Sequence, residues 1–396
     1  MLKNNNISFI FFLLTIFILS LTLLTGERHD YRFYLENWNV SNSGISPWAT
    51  ELNGIPIRNS SYGPLHTLIG YMVLLNPLVP KILFSGSSLI IFLLMLQTRR
   101  NLIGKIDNQN LLFILLIYPL FPFTIIICYI YGINDSIIAL LIILACVMRG
   151  QEKMVATGSL IGLGALLKFY PILFLPFFSL SSKKGFSLKC FFSGVFIFFL
   201  GMLLSYFIWG TDIFQPFVFG SDREPKLLSI FKFFDFVNNN YNFYLFPNLI
   251  NILILNNSIL VLIVVFFLFL HGYMAKIEWD YVSIIGILLL LISYKVGHQQ
   301  FFIGWIMLLA WMLISSKTGS EKNLFAWRLT PIAIYLCLFQ IIYFISGVLD
   351  NGHLRNDWEI FRNFGSVPFI MIISICFYLN RSFFCKPWKR KRIVIW

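Results

Sequence analysis

The chain has 396 residues, of which 58% are hydrophobic and only 12% are charged, with a formal net charge of +13. A water-soluble protein cannot bury so much apolar surface, so the composition indicates a protein whose solvent is lipid. The apolar residues, 44 Phe among them, form long blocks, which favours helices over a β-barrel. Positive charge is typical of cytosolic loops in membrane proteins, and a nucleic-acid partner is not expected.

The apolar blocks predict an all-α, polytopic integral membrane protein with about 11–13 transmembrane helices. The first block is expected to be a retained helix, because it is long enough to span and no cleavage site follows it. A short apolar piece at 64–78 lies between the first loop and the second span. The expected spans are 7–25, 80–97, 110–130, 133–148, 154–167, 172–182, 187–209, 244–270, 280–294, 299–316, 329–348 and 366–380.

The distribution of charge predicts the topology. With the N-terminus inside, alternating spans place most Lys and Arg residues in the cytosol and most Asp and Glu residues outside. The C-terminal "RSFFCKPWKRKR" is the strongest indication that the C-terminus is also cytoplasmic.

The break "KFYP" at 168–171 interrupts a long apolar block. A single span through it would put Lys183, Lys184 and Lys189 outside, so two shorter helices meeting at Pro171 are expected instead. Lys168 is then expected at an outward-facing turn, recessed below the surface. The alternative is a lysine that snorkels from a helix end.

Three other polar pieces are expected on the same outward face. The loop 26–63 is long, mixed in charge and rich in Trp and Tyr, so it is expected to fold over the membrane, with Asp30 near the lipid boundary. "YGINDS" places Asn134 and Asp135 at the start of a helix, where capping is the simple alternative. "YKVGHQQFFIGW" places four polar residues at the mouth of a later span, where a structural role is the alternative. They are Lys295, His298, Gln299 and Gln300.

A cavity with one carboxylate, one or two cations and several aromatic rings suits a reaction between an anionic lipid and a neutral polyol. The carboxylate takes a proton from the attacking hydroxyl, and the cation stabilises the departing phosphate. The sequence carries no nucleotide-binding glycine pattern, no HExxH and no GxSxG, and its cysteines lack CxxC spacing. No nucleotide-bound cofactor and no zinc are therefore expected, and a divalent metal has no support from these motifs.

The order of the motifs resembles that of polytopic GT-C glycosyltransferases over residues from about 26 to 310. The likeness is greatest to bacterial α-mannosyltransferases that use polyprenyl-phosphate mannose, and to the catalytic mannosyltransferase of GPI-anchor synthesis. Its most specific part is the G-x-x-x-G-L…K-x-Y-P block. The motifs are "HDYRFY", "GISPW", "SYGPLH", "YGINDS", "GSLIGLGALLKFYPILFLP" and "KVGHQQFFIGW".

This resemblance implies roles for individual residues. An Asp in the first outer loop acts as catalytic base in the family, and Asp30 is the matching position. Lys168 and Tyr170 would meet the donor phosphate, and His298, Gln299 and Gln300 would form an edge of the sugar or donor site. The family often carries D-x-D where this chain has "ERHDY", which leaves metal use and the role of Glu27 open. Further residues that could line the site are Glu27, Arg28, Tyr62, Asn134 and Asp135.

The resemblance also implies an organisation and a function. Residues 1–396 would form one membrane domain, with a GT-C-like catalytic module at 1–240 and C-terminal helices at 241–396. The enzyme would transfer mannose from a polyprenyl-phosphate donor to a lipid or glycan hydroxyl on the extracytoplasmic face. The membrane would be the bacterial inner membrane, or the endoplasmic reticulum in a eukaryote. A polyprenyl-linked glycan flippase or transporter is the main alternative, and a non-catalytic scaffold is another.

Overall fold

The computed structural model describes residues 4–28, 30–49, 51–52, 55–56, 60–181, 185–241, 247–349 and 363–384. This part of the chain is helical almost throughout, which confirms the predicted all-α class. The helices begin with α1 Asn4–Thr25, α2 Asp30–Asn42, α3 Pro64–Gly70, α4 Val79–Ile103, α5 Asn108–Ile117, α6 Pro122–Thr124, α7 Asp135–Gly150, α8 Met154–Leu167, α9 Leu175–Phe178 and α10 Leu188–Trp209. They continue with α11 Gln215–Asp222, α12 Ile230–Tyr241, α13 Pro247–Leu255, α14 Asn257–Met274, α15 Trp279–Ser293, α16 Ile303–Ser315, α17 Glu321–Leu349, α18 Ser366–Leu379 and α19 Arg381–Phe384.

Shorter pieces of regular structure connect these helices. Turns of 3₁₀-helix occur at Tyr71–Leu74, Tyr170–Phe174, Gly210–Phe214 and Gln299–Phe302, and a π-helical stretch occurs at Ile125–Ile130. Two antiparallel pairs join β1 Glu51–Leu52 to β2 Ile55–Pro56 and β3 Leu180–Ser181 to β4 Gly185–Phe186. One parallel pair joins β5 Lys226–Leu227 to β6 Val296–Gly297.

The described helices include several that can cross a bilayer. Five are long and apolar enough, and the pair Asn108–Ile117 and Pro122–Ile130, bent by 43°, makes a sixth if it counts as one span. The five are Ile7–Thr25, Val79–Ile103, Leu188–Val218, Asn257–Met274 and Glu321–Ser346. A multi-pass integral membrane protein is therefore confirmed, but the predicted number of about 11–13 spans exceeds the five or six helices that qualify.

The short apolar piece at 64–78 and several of the remaining predicted spans correspond to shorter helices. Apolar helices of 10–17 residues occur at Pro64–Leu74, Met154–Leu167, Trp279–Ser293, Gln299–Ser315 and Ser366–Leu379. The predicted helix 172–182 is wrong in type, because Pro171 and Pro176 reduce it to a 3₁₀ turn and the four-residue α9. The predicted span 244–270 is divided at Asn256, where Asn257 turns its side chain to the backbone at the end of α15.

The centre of the bundle is α16, whose residues from Ile303 to Ile314 are all buried. It packs against α4, α7, α15 and α17, so this helix is apolar on every side and touches protein on every side. A second close contact joins α8 to α10. A methyl group on Gly158, Gly162 or Gly194 would overlap the facing backbone, so these glycines let the two helices approach closely.

The two ends of the bundle can be named after α7, which begins at Asp135 and carries Arg149 in its last turn. At the Arg149 end, Arg149 donates to the carbonyl oxygens of Phe178 and Leu180, and Lys322 at the start of α17 pairs with Asp280 at the start of α15. The ends of α1 and α8 and the start of α4 lie at the Asp135 end. The chain therefore reverses direction at "KFYP", as predicted.

The loop after α1 forms a folded layer at the Asp135 end. Tyr31, Tyr34, Trp38 and Trp48 are buried in it, so the described residues of the loop 26–63 are folded, as expected. The position of this loop over the membrane stays a prediction. Residues 29, 50, 53–54 and 57–59 of this loop lie outside the described part, as do 350–362 and the basic C-terminal residues 385–396. The division at residue 240 stays a prediction, as does the cytoplasmic location of both termini.

Labelling with an impermeant thiol reagent tests the orientation. Ser43 follows α2 and Gln151 follows α7, and both are exposed at opposite ends of the bundle. We expect Ser43→Cys to react in intact cells and Gln151→Cys to react only after permeabilisation. The background is suitable because Cys128, Cys146, Cys190, Cys337 and Cys376 are buried, with Cys385 replaced by Ser. Labelling of both variants from one side would contradict the topology.

Candidate functional site

A buried ion pair joins the start of α7 to the end of α8. Lys168 Nζ lies 2.6 Å from Asp135 Oδ2, and the Tyr170 hydroxyl donates to Asp135 Oδ1 at 3.0 Å. The Asp135 side chain is fully buried and that of Lys168 is 7% exposed. Both oxygens of the carboxylate are therefore occupied by partners that lie 33 and 35 residues away in the chain.

Aromatic rings surround the ammonium group. Lys168 Nζ lies 4.3 Å from the centre of the Phe301 ring, 5.5 Å from that of Tyr62 and 5.9 Å from that of Tyr170. Ring faces attract a cation at these distances, and more strongly when water is excluded. Lys168 thus contacts one carboxylate and three aromatic rings. Because its side chain is buried and paired, it does not snorkel from a helix end to the membrane surface.

Local backbone geometry directs these two side chains toward each other. The α8 helix ends at Leu167, and Lys168 then adopts an extended backbone, with φ −157° and ψ 124°. Before α7, Gly132 adopts a φ of +64°, a conformation that favours glycine, and a methyl group there would overlap Lys81. The polypeptide therefore turns sharply at both positions and brings the helix ends together.

Three hydrogen-bonded side chains, those of Tyr34, Asn134 and His66, form a second polar cluster next to Asp135 in the sequence. The Tyr34 hydroxyl donates to Asn134 Oδ1 at 3.2 Å, and Asn134 Nδ2 lies 3.0 Å from His66 Nδ1. Asn134 makes no side-chain cap on α7, so the capping alternative for this residue is wrong. Because the amide nitrogen can only donate, His66 Nδ1 accepts and the imidazole carries its proton on Nε2.

His66 is a buried, neutral hydrogen-bond donor. Its ring lies between those of Tyr62 and Trp38, at centroid distances of 4.4 and 4.8 Å. Burial, assisted by the nearby charge of Lys168, lowers the pKa of His66 from 6.5 to about 3. Within the described residues, His66 Nε2 has no hydrogen-bond partner. A buried N–H in this state calls for an oxygen atom from a bound molecule or water.

A cavity of about 170 Å³ opens next to the pair. It contains two cationic side chains, Lys168 and Arg223, and its other walls are mainly aromatic and hydroxyl-bearing. Its lining includes Ser61, Lys168, Tyr170, Arg223, Tyr294 and Phe301. The charge of this cavity suits an anion of the size of a phosphate group.

Arg223 is positioned by the parallel strands β5 and β6. Lys226 N donates to Lys295 O and Leu228 N donates to Gly297 O, so the segment after α11 is fixed beside the "KVGHQQFF" motif. Arg223 Nη2 then lies 3.2 Å from His298 Nε2. Because a guanidinium group only donates, His298 accepts here and is neutral.

The late motif contributes to the site in a different way from the one expected. Phe301 is the residue that contacts Lys168, and His298 reaches the cavity through Arg223. Gln299 and Gln300 are both buried, and Gln299 Oε1 has no partner among the described residues. Roles of His298, Gln299 and Gln300 in binding the donor stay predictions.

The residues expected in the first outer loop lie at the same end of the bundle. Asp30 is the first residue of α2, four positions before Tyr34, and its side chain lies outside the described part of the chain. Glu27 and Arg28 are exposed in the connection before it. The catalytic role of Asp30 therefore stays a prediction, supported by the position of its backbone one helical turn from Tyr34.

A buried lysine anchors this connection. Lys81 Nζ donates to Thr25 Oγ1, Gly26 O and Ile130 O at 2.7–2.9 Å, which joins the end of α1 to α4 and to the π-helical stretch. Sequence reasoning did not identify Lys81, Arg223, Tyr34 or His66. The sequence does contain a signal for Lys81: it lies in an apolar block, where an ammonium group is costly unless it has hydrogen-bond partners.

The structure gives no indication of a metal site within the described residues, where no three His, Cys, Asp or Glu side chains form a group suited to metal binding. The side chain of Asp30 is not among these residues. Metal use in the loop that contains Glu27 and Asp30 therefore stays open.

The sequence model of the family described as Glycosyltransferase family 87 matches residues 61–294, more than half of the chain. The chain belongs to glycosyltransferase family 87. A comparison with curated proteins gives no significant match. Membership of this GT-C-type family confirms the predicted resemblance to GT-C glycosyltransferases and identifies the protein as a membrane glycosyltransferase, whereas the likeness to mannosyltransferases stays a prediction. The matched region of this family 87 protein contains Asp135, Lys168 and Arg223, whereas Asp30 and His298 lie outside it.

A double-mutant cycle tests the buried pair of this glycosyltransferase. Asp135→Asn or Lys168→Met alone leaves an uncompensated buried charge, so each should lower the free energy of unfolding by about 3–5 kcal/mol. The double variant should be clearly more stable than the sum of the two losses predicts. The measurement is unfolding of the purified protein in detergent.

The exposed pair Lys226–Glu224, 3.5 Å apart, is the matched control. Lys226→Met and Glu224→Gln should each change the free energy of unfolding by less than about 1 kcal/mol. Strictly additive losses for Asp135 and Lys168 would show that the two groups do not depend on each other.

Proposed function

We propose that this glycosyltransferase transfers a sugar, mannose in the first instance, from a polyprenyl-phosphate donor to a hydroxyl of a lipid or glycan acceptor at the extracytoplasmic face. The observation that supports this most is the small cationic cavity beside a buried ion pair at one end of a membrane bundle. The membrane is proposed to be the bacterial inner membrane, or the endoplasmic reticulum in a eukaryote.

Charge supports a phosphate-linked donor. Lys168 and Arg223 both line the cavity, whereas the carboxylate of Asp135 is buried behind Lys168. The pair Asp135–Lys168 is neutral as a whole, and Arg223 adds one positive charge. An anion therefore finds the N–H donors of two cationic side chains, which suit a phosphate that gains charge as the sugar leaves.

The surroundings of the cavity support a lipid-linked donor over a nucleotide sugar. Phe169 and Phe217 line the cavity, and their ring centres are 4.5 Å apart. Phe169 also contacts Phe198, and the neighbouring Phe199 is largely exposed on α10. These rings form an apolar path from the cavity to the lipid-facing surface, along which a prenyl chain can lie while its phosphate stays at Lys168.

The proposed reaction is an inverting displacement. The acceptor oxygen forms a bond to the anomeric carbon as the bond from that carbon to the phosphate oxygen breaks, and polyprenyl phosphate leaves. The acceptor proton passes to a carboxylate, for which Asp30 remains the proposed base. Asp135 suits this role less, because Lys168 and Tyr170 already occupy both of its oxygens. His66 Nε2–H is proposed to donate to a hydroxyl of one of the bound sugars.

Transfer assays test this proposal. The purified protein is incubated with radiolabelled polyprenyl-phosphate sugars and, separately, with nucleotide sugars, and the products are identified. We expect transfer from a polyprenyl-phosphate sugar, with mannose the preferred group. Transfer from nucleotide sugars alone would contradict the proposed donor.

The assignment of the base is tested by Asp30→Asn, with Glu27→Gln as the matched control in the same loop. Positioned general-base catalysis contributes about 10²–10⁴ in rate, so Asp30→Asn should lower turnover at least a hundredfold while donor affinity changes little. Glu27→Gln should retain most of the activity. The reverse result would move the role to Glu27, and full activity in both variants would place the base elsewhere.

A further inference from the structure

A second and larger cavity lies at the Arg149 end of the bundle, opposite the candidate site. It has a volume of about 890 Å³ and is bounded by the start of α8, the strands β3 and β4 and the start of α10. Its lining includes Lys153, Val155, Ala156, Phe186, Ser187 and Lys189. The α8 helix begins at this cavity and ends beside Lys168, so the two cavities lie at opposite ends of α8. The proposed glycosyl transfer therefore does not involve this cavity.

The charge of this cavity favours an anion. Lys153 and Lys189 are exposed at its edge, and within the described part of the chain neither ammonium group forms an ion pair. Glu152 is the single acidic residue among those that line it. The positive ends of two helix dipoles, those of α8 and α10, add to the potential of the lysines.

The edge of the cavity is apolar on the side of the lipid. Val155, Leu188 and Phe192 are each more than half exposed, and all lie within three residues of Lys153 or Lys189. Side chains of this type on the surface of a membrane bundle contact acyl chains. The cavity thus combines a cationic mouth with hydrocarbon-contacting walls, the two properties that a phospholipid requires of a binding site.

The shape of the cavity is fixed by the packing of its two helices. Gly158 lies one turn beyond Met154, and a methyl group there would overlap the carbonyl oxygen of Cys190. The backbones of α8 and α10 are therefore in contact directly beneath the cavity. A ligand meets preformed walls, which lowers the entropic cost of binding.

We propose that this cavity binds an anionic glycerophospholipid. The phosphate lies between Lys153 and Lys189, and the acyl chains follow the exposed faces of α8 and α10. Basic pockets between membrane helices bind lipid headgroups in this way, and each lysine near the membrane surface strengthens binding of anionic lipid. The site is distinct from the cavity of Lys168 and Arg223, and its occupant is a structural lipid, not the sugar donor.

Lipid titrations monitored by native mass spectrometry test the proposal on the full-length protein in detergent. Phosphatidylglycerol should bind with measurable affinity and phosphatidylcholine should bind much more weakly. Lys153→Gln/Lys189→Gln should weaken phosphatidylglycerol binding about fivefold for each lysine, or roughly 25-fold for both. The control Lys276→Gln/Lys317→Gln removes two exposed lysines of the same end that do not line the cavity, and should leave the affinity unchanged.

A second variant tests the shape independently of charge. Ala156→Phe places a ring inside the cavity and should weaken phosphatidylglycerol binding while both lysines are present. Equal binding of the two lipids, or equal losses in the two lysine pairs, would overturn the proposal. Competition by millimolar inorganic phosphate that abolishes lipid binding would reassign the cavity to a free anion.

Discussion

The contact between Asp135 and Lys168 is the interaction on which the geometry of the site depends. An ammonium group and a carboxylate are both costly to remove from water, and their burial is stable only when each satisfies the other with good geometry. The 2.6 Å contact, the hydroxyl of Tyr170 and the ring of Phe301 meet this requirement. Because Asp135 begins α7 and Lys168 follows α8, the same contact fixes how these two helices meet.

Other buried cations of the bundle donate hydrogen bonds to backbone carbonyl oxygens. Lys81 donates to the carbonyl oxygens of Gly26 and Ile130 and to the hydroxyl of Thr25. Arg99 and Arg149 donate to carbonyl oxygens where α16 and α9 end. In a solvent that cannot hydrogen-bond, such donors complete the ends of helices that water would otherwise satisfy. Lys81 also ties the start of the loop that contains Asp30 to α4 through Thr25 and Gly26.

The sequence alone predicts much of this arrangement where the signal is local. The helix 154–167 was expected with the bounds that α8 has, and the reversal at "KFYP" follows from proline and from the lysines on either side. Asn134, Asp135, Lys168 and Tyr170 were all expected near one face, and the structure places them in contact with one another or with common neighbours.

The contacts between distant segments could not be predicted, because no local pattern specifies a partner 33 residues away. Asp135 was therefore expected near a site but not as the partner of Lys168. Phe301 is one of 44 Phe residues, and no sequence pattern distinguishes it from the others. The polar residues of its motif indicated His298 instead. His66 was part of a quoted motif, yet only its burial between two rings and its hydrogen bond to Asn134 distinguish it.

Turnover of the double variant Lys168→Met/Asp135→Asn tests the central claim most directly, because removing both charges keeps the bundle free of an unpaired buried ion. The account predicts a folded protein whose transfer from a polyprenyl-phosphate sugar is at least about a hundredfold slower than that of the wild type, since the donor phosphate loses a positioned cation. Wild-type turnover by this folded variant would contradict the account and would leave the pair with a structural role alone.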